Sequence, residues 1–257
     1  MKRLKLAILI SGRGSNMEAL LKAAAASDYP AEPVLVLSNR PDAAGLETAL
    51  EAGVPALAID HKAYGKNREA FERAMDAALT EAGTEIIALA GFMRVLTPWF
   101  VEKWQGRMIN IHPSLLPKYK GLDTHQRALD AGDVEAGATV HWVSPGVDDG
   151  EIIQQASLPI LPGDTADSLA ARLLPVEHQL YPEALAKACA TPKPHPSRHR
   201  REPGFLRRRL GFFAPTRYNS RIEPEILCPD NIGAHGAAKT SCRRSDSTCL
   251  VTLSPLT

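Results

Sequence analysis

Short apolar runs alternate with longer Ala-, Leu- and Glu-rich stretches through the first 160 residues. Residues 6–10, 33–37, 56–59, 86–90 and 108–111 are apolar at nearly every position, the pattern of strands buried on both faces. Between them, 17–26, 43–52 and 67–82 have helical composition, and Gly53 and Gly83 stand where helix stops are expected. Strand, helix, strand repeated in this way predicts an α/β fold: a doubly wound, mostly parallel sheet flanked by helices. Ligands then gather beyond the carboxyl ends of the strands, and that is where the unusual residues of this chain fall.

Farther on, 138–143 and 151–157 read as two more strands, joined by a loop from Pro145 to Gly150. Asp164 is the expected N-cap of a last helix that runs to about Ala190, with Glu177 and His178 near its middle. Beyond it the periodicity collapses into Pro-, Arg- and Ser-rich sequence, so disorder is the expectation for 191–257. Charge marks the same boundary. The segment from Thr191 onward has 12 Lys/Arg against 5 Asp/Glu, a net of +7, whereas 1–190, with the remaining 18 against 24, carries −6. One folded domain, 1–190, followed by a basic tail is the organisation expected.

A hydrophobic content of 44% is ordinary for a globular protein. The opening Met1-Lys2-Arg3-Leu4-Lys5 leads into only five apolar residues and then Ser11-Gly12, too short for a signal peptide and better read as a first strand. No stretch is long and apolar enough to span a bilayer. Cys189, Cys228, Cys242 and Cys249 show neither metal-ligand spacing nor a disulfide framework, which points to a reducing, cytoplasmic compartment.

Four motifs carry chemistry. Ser11-Gly12-Arg13-Gly14-Ser15-Asn16 links the first strand to the first helix; small residues there let backbone N–H groups approach an anion at a helix N-terminus, so a phosphate suits it. It is neither a dinucleotide fingerprint nor a P-loop, and a tight turn with a Ser/Asn cap is the bland alternative. Ala90-Gly91-Phe92-Met93-Arg94-Val95-Leu96 ends the fourth strand; Phe92 and Val95 read as parts of a core strand and its turn, while exposed backbone at this edge could meet a flat heterocycle between the apolar walls of Met93 and Leu96. Asn110 and His112, at i and i+2 on one strand, point to the same side. Two such buried polar groups cost about 1–3 kcal/mol each unless partnered, so they need protein partners or a ligand. Asp148-Asp149 can bring one carboxylate to His112; metal binding is the alternative, but the chain lacks metal-type spacing around these residues.

Together these motifs, with Asn110-Ile111-His112-Pro113-Ser114-Leu115-Leu116-Pro117 and Val147-Asp148-Asp149-Gly150 in this order, resemble the glycinamide ribonucleotide formyltransferases, folate-dependent enzymes of purine synthesis, over residues 4–189. The resemblance implies the formyltransferase fold, 10-formyltetrahydrofolate as co-substrate with no metal, and Asn110, His112 and Asp148 as catalytic residues. It assigns Gly14, Ser15 and Asn16 to the substrate phosphate, Glu177 to the glycinamide end, and Arg68, Met93, Arg94, Val95, Leu96 and Asn110 to the folate. Small-molecule partners, no membrane, no nucleic acid and a monomer or weak homodimer go with it.

Methionyl-tRNA formyltransferase shares the Asn-x-His-Pro motif but has no use for the phosphate loop, and the basic tail lacks the aromatic patterning of a tRNA-binding domain. Formyltetrahydrofolate hydrolase normally carries a preceding regulatory domain, whereas strand one here starts near residue 4. A folate- or nucleotide-binding relative without turnover is disfavoured by the complete Asn, His and Asp set. The tail departs from the family pattern, and an aberrant extension replacing the usual end is the reading of its composition.

Overall fold

The computed structural model describes residues 2–190 and a two-residue strand at Val251–Thr252. Its first strand, β1 (Leu4–Ile10), is followed by α1 (Ser15–Ala24), β2 (Ala31–Ser38), α2 (Gly45–Glu51) and β3 (Ala56–Ala58). A 3-10 turn at His61–Tyr64 leads to α3 (Arg68–Glu81), β4 (Ile86–Leu89), α4 (Pro98–Lys103) and β5 (Met108–His112). Then come α5 (Thr124–Asp130), β6 (Glu135–Trp142), β7 (Ile152–Pro159), α6 (Ala166–Ala190) and β8 (Val251–Thr252).

The strand order is β7-β6-β5-β4-β1-β2-β3-β8. Strands β1 to β5 pair in parallel, while β6 and β7 are antiparallel additions at one edge. Because the chain winds from β1 out to β3 and then returns to β4 on the other side of β1, the topological switch point lies between β1 and β4. Their outgoing loops diverge there and open a crevice.

Alternation along β1 shows how the two layers form. Leu6, Ile8 and Ile10 join one buried cluster with α1, α2 and α6, while Ala7 and Leu9 join the other with α3 and α4. Helix α6 is held by a buried stripe of Leu169, Leu173, Leu180, Tyr181, Ala184, Leu185 and Ala188 despite Pro175 and Pro182 within it. Fully buried Tyr181 donates its hydroxyl to the Leu89 carbonyl at 2.9 Å, tying α6 to the end of β4.

All the expected strands and long helices are present, with ends shifted by a few residues. The short helix α4 was not anticipated; with six residues it offers too few turns for a periodic signal. Asp164 does not cap α6. Thr165 does, exchanging hydrogen bonds with Ser168 at 2.9 and 3.2 Å, while Asp164 accepts from the Leu161 amide, Ser168 and Arg172. The expectation of disorder for 191–257 lies outside the described residues except at Val251–Thr252, which pairs in parallel with β3.

Candidate active site

Strand β5 presents Asn110 and His112 at its carboxyl end, and its antiparallel register with β6 sets His141 opposite Asn110 and Thr139 opposite His112. Opposed residues share a face. Four polar side chains therefore meet on one side of an otherwise apolar pair of strands. Thr139, fully buried, donates to the Ser114 carbonyl at 2.6 Å and accepts from the Leu116 amide at 3.0 Å, which fixes the turn that leaves β5.

Asp148 reaches this cluster from the loop between β6 and β7. Its φ of 48° lies in the left-handed region, tolerable for Asp but strained enough to suggest a purpose. Gly150 makes the approach possible, since a Cβ there would stand 1.5 Å from the Trp142 carbonyl oxygen. The Asp148 carboxylate accepts from the Gly121 amide at 2.9 Å and lies 3.3 Å from His112 Nδ1 and 3.6 Å from His141 Nε2. Asp149 instead pairs with Lys120 at the surface.

The polar geometry restricts protonation. His112 Nε2 lies 2.9 Å from the Tyr119 carbonyl and Nδ1 faces Asp148; both partners are acceptors, so only a ring protonated at both nitrogens donates to each. His141 Nδ1 lies 3.0 Å from the Trp142 carbonyl, leaving Nε2 3.2 Å from Asn110 Nδ2, a contact that orients the amide. Burial pushes the Asp148 carboxyl up, but the adjacent His141 ring, the Gly121 amide and the charges of His112 and His141 outweigh it, holding the pKa below the ordinary value of 3.8.

The phosphate-loop motif lies on the neighbouring crevice. Gly14 adopts φ 75° ahead of α1, where Ser15 is the first helical residue. A cleft of about 420 Å³ is lined by Ser11 through Asn16 on one side and by Met93 and Arg94 on another. Asn16 Nδ2 donates to Glu177 Oε2 at 2.7 Å, joining α1 to α6; its Oδ1 is buried and has no hydrogen-bond partner among the described residues. Burial pushes the Glu177 carboxyl up, only partly offset by that bond.

Met93 and Val95 are 75% and 65% exposed, with Arg94 between them; Phe92 and Leu96 pack on the core, but Val95, expected there, turns outward because the chain has already left the sheet. Arg68 is exposed at the start of α3. Thus the structure brings Asn110, His112 and Asp148 into one cluster, and Gly14, Ser15, Asn16, Met93 and Arg94 around one cleft, with Glu177 bonded to Asn16. Arg68 and Glu177 make no direct contact with the Asn110–His112–Asp148 cluster. His141 and the Tyr119 carbonyl were not among the expected site groups, and Ser11, expected only within the phosphate loop, instead anchors the Met93 amide. A histidine two positions beyond Thr139 on an apolar strand was a visible signal for His141; the others depend on chain crossings.

A model of the Formyl transferase family matches residues 4–185. The chain belongs to that family. It is 44% identical over 178 residues to phosphoribosylglycinamide formyltransferase of Haemophilus influenzae, covering 69% of this chain and 84% of that protein. It is 50% identical over 187 residues to the trifunctional purine biosynthetic protein adenosine-3 of Drosophila melanogaster, covering 72% of this chain but 14% of that protein. The chain therefore spans about a seventh of that longer relative. The crystal structure of phosphoribosylglycinamide formyltransferase from Brucella melitensis superposes with a TM-score of 0.70 at 51% identity, covering 74% of this chain and 97% of the other. No helix among the described residues is long and apolar enough to cross a membrane, and no group of His, Cys, Asp and Glu among them could hold a metal ion.

Proposed function

We propose that this formyl transferase moves the formyl group of 10-formyltetrahydrofolate onto the amine of glycinamide ribonucleotide, as a monomer or weak homodimer in the cytoplasm. The observation that carries the reading is the Asn110–His112–Asp148 cluster beside a cleft floored by Gly14, Ser15 and Asn16. The phosphate belongs on the exposed amides of that loop, where the N-terminus of α1 favours an anion. Glu177 and the unpartnered Asn16 Oδ1 can accept from substrate hydroxyl or amide donors. The folate belongs along Met93, Arg94, Val95 and Leu96, with Arg68 beside them.

The amine nitrogen attacks the formyl carbon, and the carbonyl π pair moves to oxygen. That oxyanion accepts from the Asn110 amide and from the His112 imidazolium, whose charge Asp148 stabilises. The amine then loses a proton through water towards Asp148, the oxyanion pair re-forms the carbonyl as the bond to the folate nitrogen breaks, and the proton passes back through the same water to that nitrogen, which leaves as tetrahydrofolate. His112 Nε2 is engaged by the Tyr119 carbonyl in this structure, so its N–H must be shared or released when substrate enters.

His112→Ala should lower kcat by about 10²–10³ while leaving the dissociation constant for glycinamide ribonucleotide within about threefold. Turnover of that variant within tenfold of wild type would overturn the assignment.

A further inference from the structure

Glu72 is 1% exposed on α3, and among the described residues its carboxylate meets no cation: its partners are the Thr97 amide at 2.7 Å and the Thr97 hydroxyl. A buried carboxylate held only by neutral donors is an expensive way to join two helices, since an apolar pair usually serves as well or better. Thr97 deepens the anomaly. It occupies the N-cap of α4, where its hydroxyl would ordinarily satisfy a helix amide, yet it makes no side-chain cap bond and turns to Glu72 instead.

What this bond positions is the segment before it. Met93 to Leu96 leads directly into Thr97. At its other end the Met93 amide donates to the Ser11 hydroxyl at 2.8 Å, and that hydroxyl donates to Asn39 Oδ1 at 2.6 Å. Ser11 and Asn39 are 6% and 2% exposed. The segment is thus suspended between two buried polar posts, with Met93 and Val95 left open to solvent. Glu72 also stands one helical turn after Arg68 on α3, so it is on the same side of that helix.

We propose that Glu72 is a positioning residue for folate: through Thr97 it sets the separation between Arg68 and the Met93–Leu96 segment, the two parts of the folate site, without touching the ligand. The proposal rests on the function proposed above and adds a residue to it. Asp76, one turn later on α3, supplies the control. It also ties α3 to α4, through Lys103 and the Trp104 indole at 3.1 Å, but at a point beyond the segment.

The test is steady-state formyl transfer by the full chain, varying each substrate, with thermal midpoints recorded alongside. Glu72→Ala should raise KM for 10-formyltetrahydrofolate roughly tenfold, the loss of about one charge-assisted hydrogen bond, and leave KM for glycinamide ribonucleotide within about twofold. Glu72→Gln, which keeps an acceptor for the Thr97 amide, should recover most of the folate affinity. Asp76→Asn should lower the thermal midpoint with little change in either KM. Equal increases in both KM values, an unchanged folate KM, or the same folate effect from Asp76→Asn would overturn the proposal. Should Glu72→Ala fail to fold, Thr97→Val removes only the hydroxyl and must still raise the folate KM selectively; no change refutes it. A wild-type chain that transfers formyl normally while these variants show no split would overturn this inference alone, whereas an inert wild type would overturn the function with it.

Discussion

Replacing Asp148 by Asn keeps the size of the side chain and an acceptor for the Gly121 amide, but removes the charge beside His112. The two side chains are 12% and 6% exposed and 3.3 Å apart. At that distance a unit charge pair is worth about 5 kcal/mol at an effective dielectric constant near 20, and about 1 kcal/mol in water. Only the part that grows as the oxyanion forms affects the rate, so a loss between these limits is expected: about 3–4 kcal/mol, or roughly 10²–10³ in kcat.

In the wild-type protein Asp148 has a depressed pKa, so the stability it confers is fully present above the ordinary aspartate value near 3.8 and is lost only as pH falls below it. Neutral-pH activity should therefore show no titration from Asp148 itself. The assay is kcat and both KM values from pH 6 to 9 for wild type and Asp148→Asn. A variant within tenfold of wild type across this range would refute the electrostatic role.

Two further substitutions probe the supporting structure. Glu177 has a raised pKa, so its contribution to stability is present below the ordinary value of 4.5 and lost as pH rises through the folded-state value; Glu177→Gln should become stable relative to wild type on going from pH 4 to pH 8 in urea unfolding, while binding ribonucleotide less tightly. A stability difference that does not move with pH would count against this. Gly150→Ala must displace the loop because its Cβ would overlap the Trp142 carbonyl; a loss of turnover exceeding tenfold, with the thermal midpoint lowered by several degrees, is expected, and wild-type kinetics would show that Asp148 does not depend on this close approach.

Much of this protein was written in local pattern. Double-sided apolar runs identified the parallel strands because a strand covered on both faces must be apolar at successive positions, and Gly14, Asn110 and His112 stood out because polar or small residues at strand ends serve ligands. Tertiary structure decided what depends on chain crossings. Asp148 meets His112 because an antiparallel β6 carries the chain back along β5 and Gly150 lets its loop fold close. His141 joins them through strand register rather than sequence proximity. Glu72 looks like any acidic residue on a helix; only the packing of α3 against Thr97 buries it and makes its carboxylate a post for another segment. Sequence alone carried the strand pattern and the residue types from which the proposed site is built, because both are local. Which side chains share a hydrogen bond was settled by distances between elements, and those exist only once the sheet has closed.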